Sequence, residues 1–210
     1  MSDENTFRVC VIGLGSMGMG AALSCLRAGL ATSGIDLSRA RLDAFAAAGG
    51  EAVAVAATEF DLQFDAALVL VVNAAQAREA ILGETGIAHR MRPGGAIMVS
   101  CTQSATDAQA LGQDIAARGF LMLDAPVSGG AAKAASGDMT VMASGSEEAF
   151  CSARPGAGGC RRQGLSHRAG HRAGGHGQGH SPVAGGCSHC RRGRGDGAGR
   201  PRRHPAGHDV

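Results

Sequence analysis

Large apolar side chains almost vanish from this 210-residue chain after Phe150. Beyond it, Leu165, Val183 and Val210 are the only large aliphatic residues, and there is no Phe, Met or Ile. Sixty residues of that composition cannot bury enough apolar surface to offset the entropy of ordering their backbone. Any core must therefore come from residues 1–150, and 151–210 is expected to be a disordered tail rich in Arg, Gly and His. Charge divides at the same point. Residues 1–150 hold nine of the 20 Lys and Arg against 16 of the 18 Asp and Glu, a net of −7. The tail holds the other 11 basic residues, all Arg, against Asp196 and Asp209, a net of +9. The total of +2 thus describes neither half.

Length sets a prior of one domain and part of a second. The longest unbroken apolar run, Ala66 to Val72, is too short to cross a bilayer. Met1-Ser2-Asp3-Glu4 lacks the basic and apolar regions of a signal peptide. No membrane partner and a cytoplasmic location are the expectation, and in that compartment the cysteines form no disulfide framework.

Within residues 1–150, strands and helices alternate. Arg8–Ile12 is a β-rich run ending at Gly13, and Ser16 to Ala28 carries small and apolar residues at helical spacing up to Gly29. A weaker strand follows at Ser33–Asp36, then a helix from an N-cap at Ser38 through Ala48, and a marginal strand at Glu51–Val55. Ala66–Val72 is apolar throughout, as a strand buried on both faces should be. The pattern predicts a helix near Gln76–Leu82, a turn at Pro93-Gly94-Gly95 and a strand at Ala96–Ser100. A helix over Ser104–Arg118 and a sixth strand at Phe120–Leu123 complete it. Such alternation implies an α/β fold with a doubly wound parallel sheet, Rossmann-like in topology.

Gly13-Leu14-Gly15-Ser16-Met17-Gly18 is G-x-G-x-x-G in its required place, after a strand and opening a helix. Gly13 permits the tight turn, Gly15 lets backbone approach a pyrophosphate, and Gly18 lets helix and strand pack closely. Phosphates would face the free N–H groups and positive end of that helix. Asp36, 18 residues after Gly18, suits the hydroxyls of an adenosine ribose and repels a 2′-phosphate, which favours NAD over NADP. Arg39 lies near enough to keep NADP open. Chance Gly-rich turns occur in small-residue sequences, but strand, helix and acid together favour dinucleotide binding.

After the sixth strand stand Asp124-Ala125-Pro126-Val127-Ser128-Gly129-Gly130, Lys133, Gly137 and Met139-Thr140-Val141-Met142. With them, residues 7–150 closely resemble the β-hydroxyacid dehydrogenases, the family of 3-hydroxyisobutyrate and 6-phosphogluconate dehydrogenases. The resemblance implies NAD-dependent oxidation of a short hydroxy acid, such as a sugar acid. It implies that Ser128, Gly129 and Gly130 hold the substrate carboxylate and hydroxyl, and that Thr102 lies beside the nicotinamide. Val72 and Asn73 would end the fourth strand on the cofactor rim, although Asn73 could equally cap the next helix. Intact members carry an all-helical second domain and form homo-oligomers through it.

The resemblance also implies a lysine general base on a helix beyond residue 150, within G-x-G-x-x-x-K. Residues 151–210 contain no lysine, and Lys133 belongs to the substrate-loop signature instead. An excess of Arg, Gly, Ala, Pro, His and Cys is what GC-rich coding DNA yields out of frame. In the shifted frame, Gln178 followed by Gly179 permits only a Lys or Arg codon, at the spacing the family lysine requires. We therefore expect residues from about Cys151 to be a frameshifted product and the chain to be catalytically dead. Two other readings of the tail are weaker. Cys187-x2-Cys190 with His204-x3-His208 approaches zinc-finger spacing, yet Arg191–Arg203 supplies no large apolar residue for a finger's core. Hence no metal is expected. The net of +9 would attract nucleic acid non-specifically, but no aromatic residues interleave for base stacking, so no specific nucleic-acid partner is expected. A zinc- or nucleic-acid-binding protein on a degenerate Rossmann scaffold is the alternative for the whole chain.

Overall fold

The computed structural model describes residues 6–155. The tail from residue 156, with Gln178 and the Cys187, Cys190, His204 and His208 spacing, lies outside the described residues.

β1 (Arg8–Ile12) shows why the chain folds as it does. Its side chains alternate: Val9 and Val11 enter one apolar cluster, and Cys10 and Ile12 enter another. A strand buried on both faces must lie inside a sheet covered on both sides. The first cluster is closed by α1 (Ser16–Arg27), which supplies Ala22. After β2 (Ala31–Ile35), α2 (Arg39–Ala47) adds Leu42 and Phe45 to it. Beyond β3 (Val53–Ala54) and β4 (Phe64–Val69), the other cluster is closed by α3 (Ala74–Leu82), with Ala77 and Ile81. After β5 (Met91–Val99), α4 (Ala105–Ala117) brings Leu111 and Ile115 to it. The chain continues through β6 (Leu121–Asp124), β7 (Val127–Ser128), α5 (Gly130–Ser136), β8 (Thr140–Val141), β9 (Ser144–Gly145) and α6 (Glu147–Ser152).

The main sheet runs β3-β2-β1-β4-β5-β6-β9, with β1 to β6 parallel and β9 antiparallel at the edge. This is the expected doubly wound, Rossmann-like sheet. The strand order reverses between β1 and β4, which places the topological switch point at their carboxyl ends. α1 stops where Gly29 takes φ +76°. Gly29 N–H donates to Leu26 O (2.9 Å) and Leu30 N–H to Cys25 O (3.1 Å), a Schellman closure.

Three elements differ from the sequence expectation, and regular structure also passes the boundary expected at Phe150, because α6 continues to Ser152, which is buried. The apolar run expected at Ala66–Val72 is a strand over Phe64–Val69, and Val72 is 78% exposed. That strand contains a buried carboxylate, Asp65, which accepts Arg8 N–H (2.9 Å) and Arg92 Nη1 (3.1 and 3.2 Å). It ties three neighbouring strands at the amino end of the sheet. The turn expected at Pro93-Gly94-Gly95 is instead a bulge inside β5. Phe64 pairs with Met91 and Ala66 with Ala96, so β5 spends extra residues there. Gly94 takes φ +71°, and its carbonyl accepts Ser152 Oγ at 2.6 Å. Ser38 stands at the N-cap position of α2, but its hydroxyl makes no capping bond. Among the described residues, no helix is long and apolar enough to cross a membrane.

Candidate functional site

The turn between β1 and α1 lies at the switch point. Gly13 N–H donates to Ile35 O at 2.8 Å, and Gly13 takes φ +87°, with a Cβ there falling 2.6 Å from Leu70 O. A Cβ on Gly18 would collide with the Gly13 carbonyl. Both residues are therefore glycine for reasons internal to the fold. Gly15 is different. Its backbone is extended (φ −63°, ψ −169°), which any residue adopts, and a Cβ there would meet nothing within 4 Å. The protein itself gives no reason for glycine at that position. α1 begins at exposed Ser16, and Gly15 supplies no side-chain cap, so its first N–H groups are open to an anion. Leu14 is 1% exposed and packs in the core, and Met17 is half-buried.

Asp36 follows β2 and is buried. One oxygen, Oδ2, accepts Leu14 N–H at 2.7 Å, and Oδ1 accepts Ser38 N–H at 2.8 Å. The carboxylate thus fastens the glycine turn to the start of α2. Arg41 Nη1 approaches Oδ2 at 3.5 Å. Arg39, the basic residue that sequence reasoning singled out, runs along α2 toward Asp43 (3.9 Å). Arg41 takes its place beside the acid.

Val72 and Asn73 stand beyond the end of β4. Asn73 Oδ1 accepts Gln76 N–H at 2.9 Å, and Val72 N–H donates to Gln76 Oε1 at 3.0 Å. The capping reading of Asn73 describes its side chain. Its backbone forms a parallel bridge to Thr102, so the ends of β4 and β5 are joined one step past the sheet, with Thr102 exposed. Next to Thr102, Gln103 Nε2 donates to Asp124 Oδ1 (3.2 Å), while Gln103 Oε1 is buried without a partner. Asp124 opens the Asp-Ala-Pro-Val-Ser-Gly-Gly segment, so this bond links the β5 and β6 ends. Cys101 lies just before. Burial pushes its thiol up, a hydrogen bond to its own backbone opposes that, and Asp124 adds to the rise.

Ser128 is exposed at the end of β7, paired with Thr140 of β8. Gly129 and Gly130 take φ of +132° and +69°, conformations that L side chains rarely adopt. The following helix, α5, packs on α1 where a Cβ on Gly20 would fall 2.7 Å from Ala134 Cβ and still closer to its backbone. Gly20 therefore sets the distance between the first turn and the Ser128 loop.

Sequence reasoning missed Arg41, Gln103, Gly20 and Leu37. Leu37 is 88% exposed and follows β2 as Val72 follows β4, so these two aliphatic side chains stand past the ends of both neighbours of β1. For Leu37 the available signal was its place directly after Asp36, at the end of the second strand.

Residues 8–156 match the family model for the NAD binding domain of 6-phosphogluconate dehydrogenase. The chain is 56% identical over 150 residues to L-threonate dehydrogenase of Haemophilus influenzae, covering 71% of this chain and 50% of that protein. It is 53% identical over 150 residues to L-threonate dehydrogenase of Escherichia coli (strain K12), with the same shares covered. A crystal structure of 3-hydroxyisobutyrate dehydrogenase from Salmonella typhimurium superposes with a TM-score of 0.67 at 54% identity, covering 71% of this chain and 52% of that one. The chain thus spans about half the length of the curated relatives it matches.

Proposed function

The chain belongs to the β-hydroxyacid dehydrogenase family, and on that premise we propose that its turn at Gly13–Gly18 binds the pyrophosphate of NAD at the entrance of a hydroxy-acid dehydrogenase site. The observation that carries this reading is the open space above Gly15. A glycine whose absent Cβ clears neither strain nor protein atoms clears room for a ligand, and the uncapped N–H groups of Ser16, Met17 and Gly18 border that room. Asp36 keeps acceptor capacity beyond its two backbone bonds for a ribose hydroxyl, and Leu37 and Val72 offer apolar walls for the adenine. Thr102, fixed by its bridge to Asn73, lies at the nicotinamide end.

The substrate class is a short hydroxy acid: L-threonate, a related sugar acid, or a 3-hydroxyisobutyrate-like acid. Ser128 hydroxyl with the N–H groups of Gly129 and Gly130 would orient its carboxylate and hydroxyl. Bound NAD would accept the hydride from the carbinol carbon. The residues present must then take the hydroxyl proton, and no side chain described at this site is placed as that base. Lys133, the only lysine in the sequence, is exposed on α5. The base the family requires falls where Gln178 is written. Residues from about Cys151 onward are therefore read as a frameshifted product, and this polypeptide binds cofactor without turnover.

The test mixes the 210-residue chain, and a version with the shifted frame restored from codon 151, with NAD and a panel of short hydroxy acids including L-threonate. NADH should form with the restored chain alone. NADH formation by the 210-residue chain, or an unbroken single frame on resequencing across the Phe150 codon, would overturn the frameshift reading.

A further inference from the structure

α3 and α4 cover the face of the sheet opposite α1, and a cleft of about 470 Å³ opens between their outer sides. Four charged side chains line it. Two are paired, with Arg78 of α3 bonded to Asp114 of α4. The other two, Glu79 and Arg118, stand too far apart to pair, and neither side chain has a partner among the described residues. Glu79 lies in the last turn of α3, the negative end of the helix, where a cation is favoured, and that turn holds no basic residue. Gly83, just past it, has backbone that any residue adopts (φ −62°, ψ 174°), but a Cβ there would collide with the Glu79 carboxylate and carbonyl. Glycine thus lets the carboxylate fold over the helix end. The Gly83 carbonyl meets His89 Nε2 at 3.2 Å, while the carboxylate beside it has no cation. Across the cleft, Arg118 is the exposed C-cap of α4, with its guanidinium fork open to a carboxylate. Leu82 and Ala117 give the walls an apolar part.

Opposite charges held apart in one cleft complement a molecule that carries the reverse pair. We propose that the α3–α4 cleft binds a free α-amino acid with an aliphatic side chain. Its ammonium sits on Glu79 at the negative end of α3, its carboxylate on Arg118, and its side chain against Leu82 and Ala117. A dicarboxylate would bring like charge to Glu79, and a diamine would bring it to Arg118. The cleft shares no residue with the Gly13–Gly18 turn, so this site stands or falls independently of the cofactor reading.

Amide-resolved NMR titration of the full chain with L-leucine tests it. Isopentylamine and 4-methylpentanoate serve as probes that keep the same side chain and one charge each. L-leucine should give saturable shifts at Glu79, Gly83 and Arg118 with millimolar affinity. Each single-charge probe should bind about fivefold more weakly, the worth of one exposed ion pair. Glu79→Gln and Arg118→Gln should each weaken L-leucine by a similar factor. Both side chains are exposed, so Tm should stay within about 2 °C of the parent. Glu84→Gln, which removes an exposed acid outside the cleft, should leave the affinity unchanged. No saturable shift at the cleft amides would overturn the site. So would equal binding of L-leucine and either single-charge probe, or undiminished affinity in both cleft variants.

Discussion

Replacing Gly15 by alanine separates a ligand-shaped turn from a merely tight one. At Gly15 the backbone is extended, alanine adopts it without strain, and the new methyl meets no protein atom within 4 Å. The unfolded chain loses conformational freedom, so Gly15→Ala should stabilise the domain by about 0.4–1 kcal/mol, raising Tm by about 1–4 °C for a domain of this size. The same methyl occupies the room assigned to the pyrophosphate. NAD affinity should fall at least about 30-fold, roughly 2 kcal/mol. Gly18→Ala is the contrasting perturbation. Its Cβ collides with the Gly13 carbonyl, so α1 must move off β1, at a cost of about 1–3 kcal/mol for overpacking, and binding is lost through the fold. Scanning calorimetry and NAD titration on both variants give four readings. A Gly15→Ala protein that binds NAD as tightly as the parent refutes the cradle, and one that melts lower refutes the geometry of the turn.

Three further outcomes follow from the packing. Removing Arg92, the partly exposed partner of buried Asp65, as in Arg92→Ala, should cost about 1–3 kcal/mol by denaturant unfolding while leaving NAD affinity unchanged, because the pair sits at the opposite end of the sheet. Gly20→Ala drives a methyl into α5, and should speed hydrogen exchange over Gly130–Ser136 before it affects the main sheet. Burial pushes the Cys10 and Cys25 thiols above their ordinary value, so the folded state keeps a proton that the unfolded chain gives up. Their stability contribution is whole below about pH 8.5 and falls as pH rises beyond it, approaching about 1.4 kcal/mol per pH unit for the fully buried Cys10. Cys10→Ala should flatten that slope in urea titrations between pH 8 and pH 10; an unchanged slope would count against burial as its cause.

Much of the fold was legible because β1 and its neighbours obey a simple burial rule. Arg8–Ile12 read as a strand from its β-rich apolar run, and Gly29 as a helix stop because the closure there demands positive φ. The end of β4 misled because apolar character was read as burial, whereas Val72 is apolar and exposed. Asp65 was invisible for the converse reason: its partners, Arg8 N–H and Arg92, come from other strands. The elements between Val127 and Ser152 are two to seven residues long, too short for periodicity to register, although family signature residues marked the segment's role. At the site, the glycine pattern gave the turn and Asp36, but not how Asp36 is held. Its main donors are backbone N–H groups, which residue identity does not encode. The choice between Arg39 and Arg41 likewise depends on which way each leaves the first turn of α2.

Isothermal titration of NAD into the folded 210-residue chain tests the central claim most directly. The account predicts one saturable site per chain, retained in Lys133→Ala and lost in Gly15→Ala. A chain that unfolds cooperatively on heating yet gives no heat with NAD or NADP would contradict it.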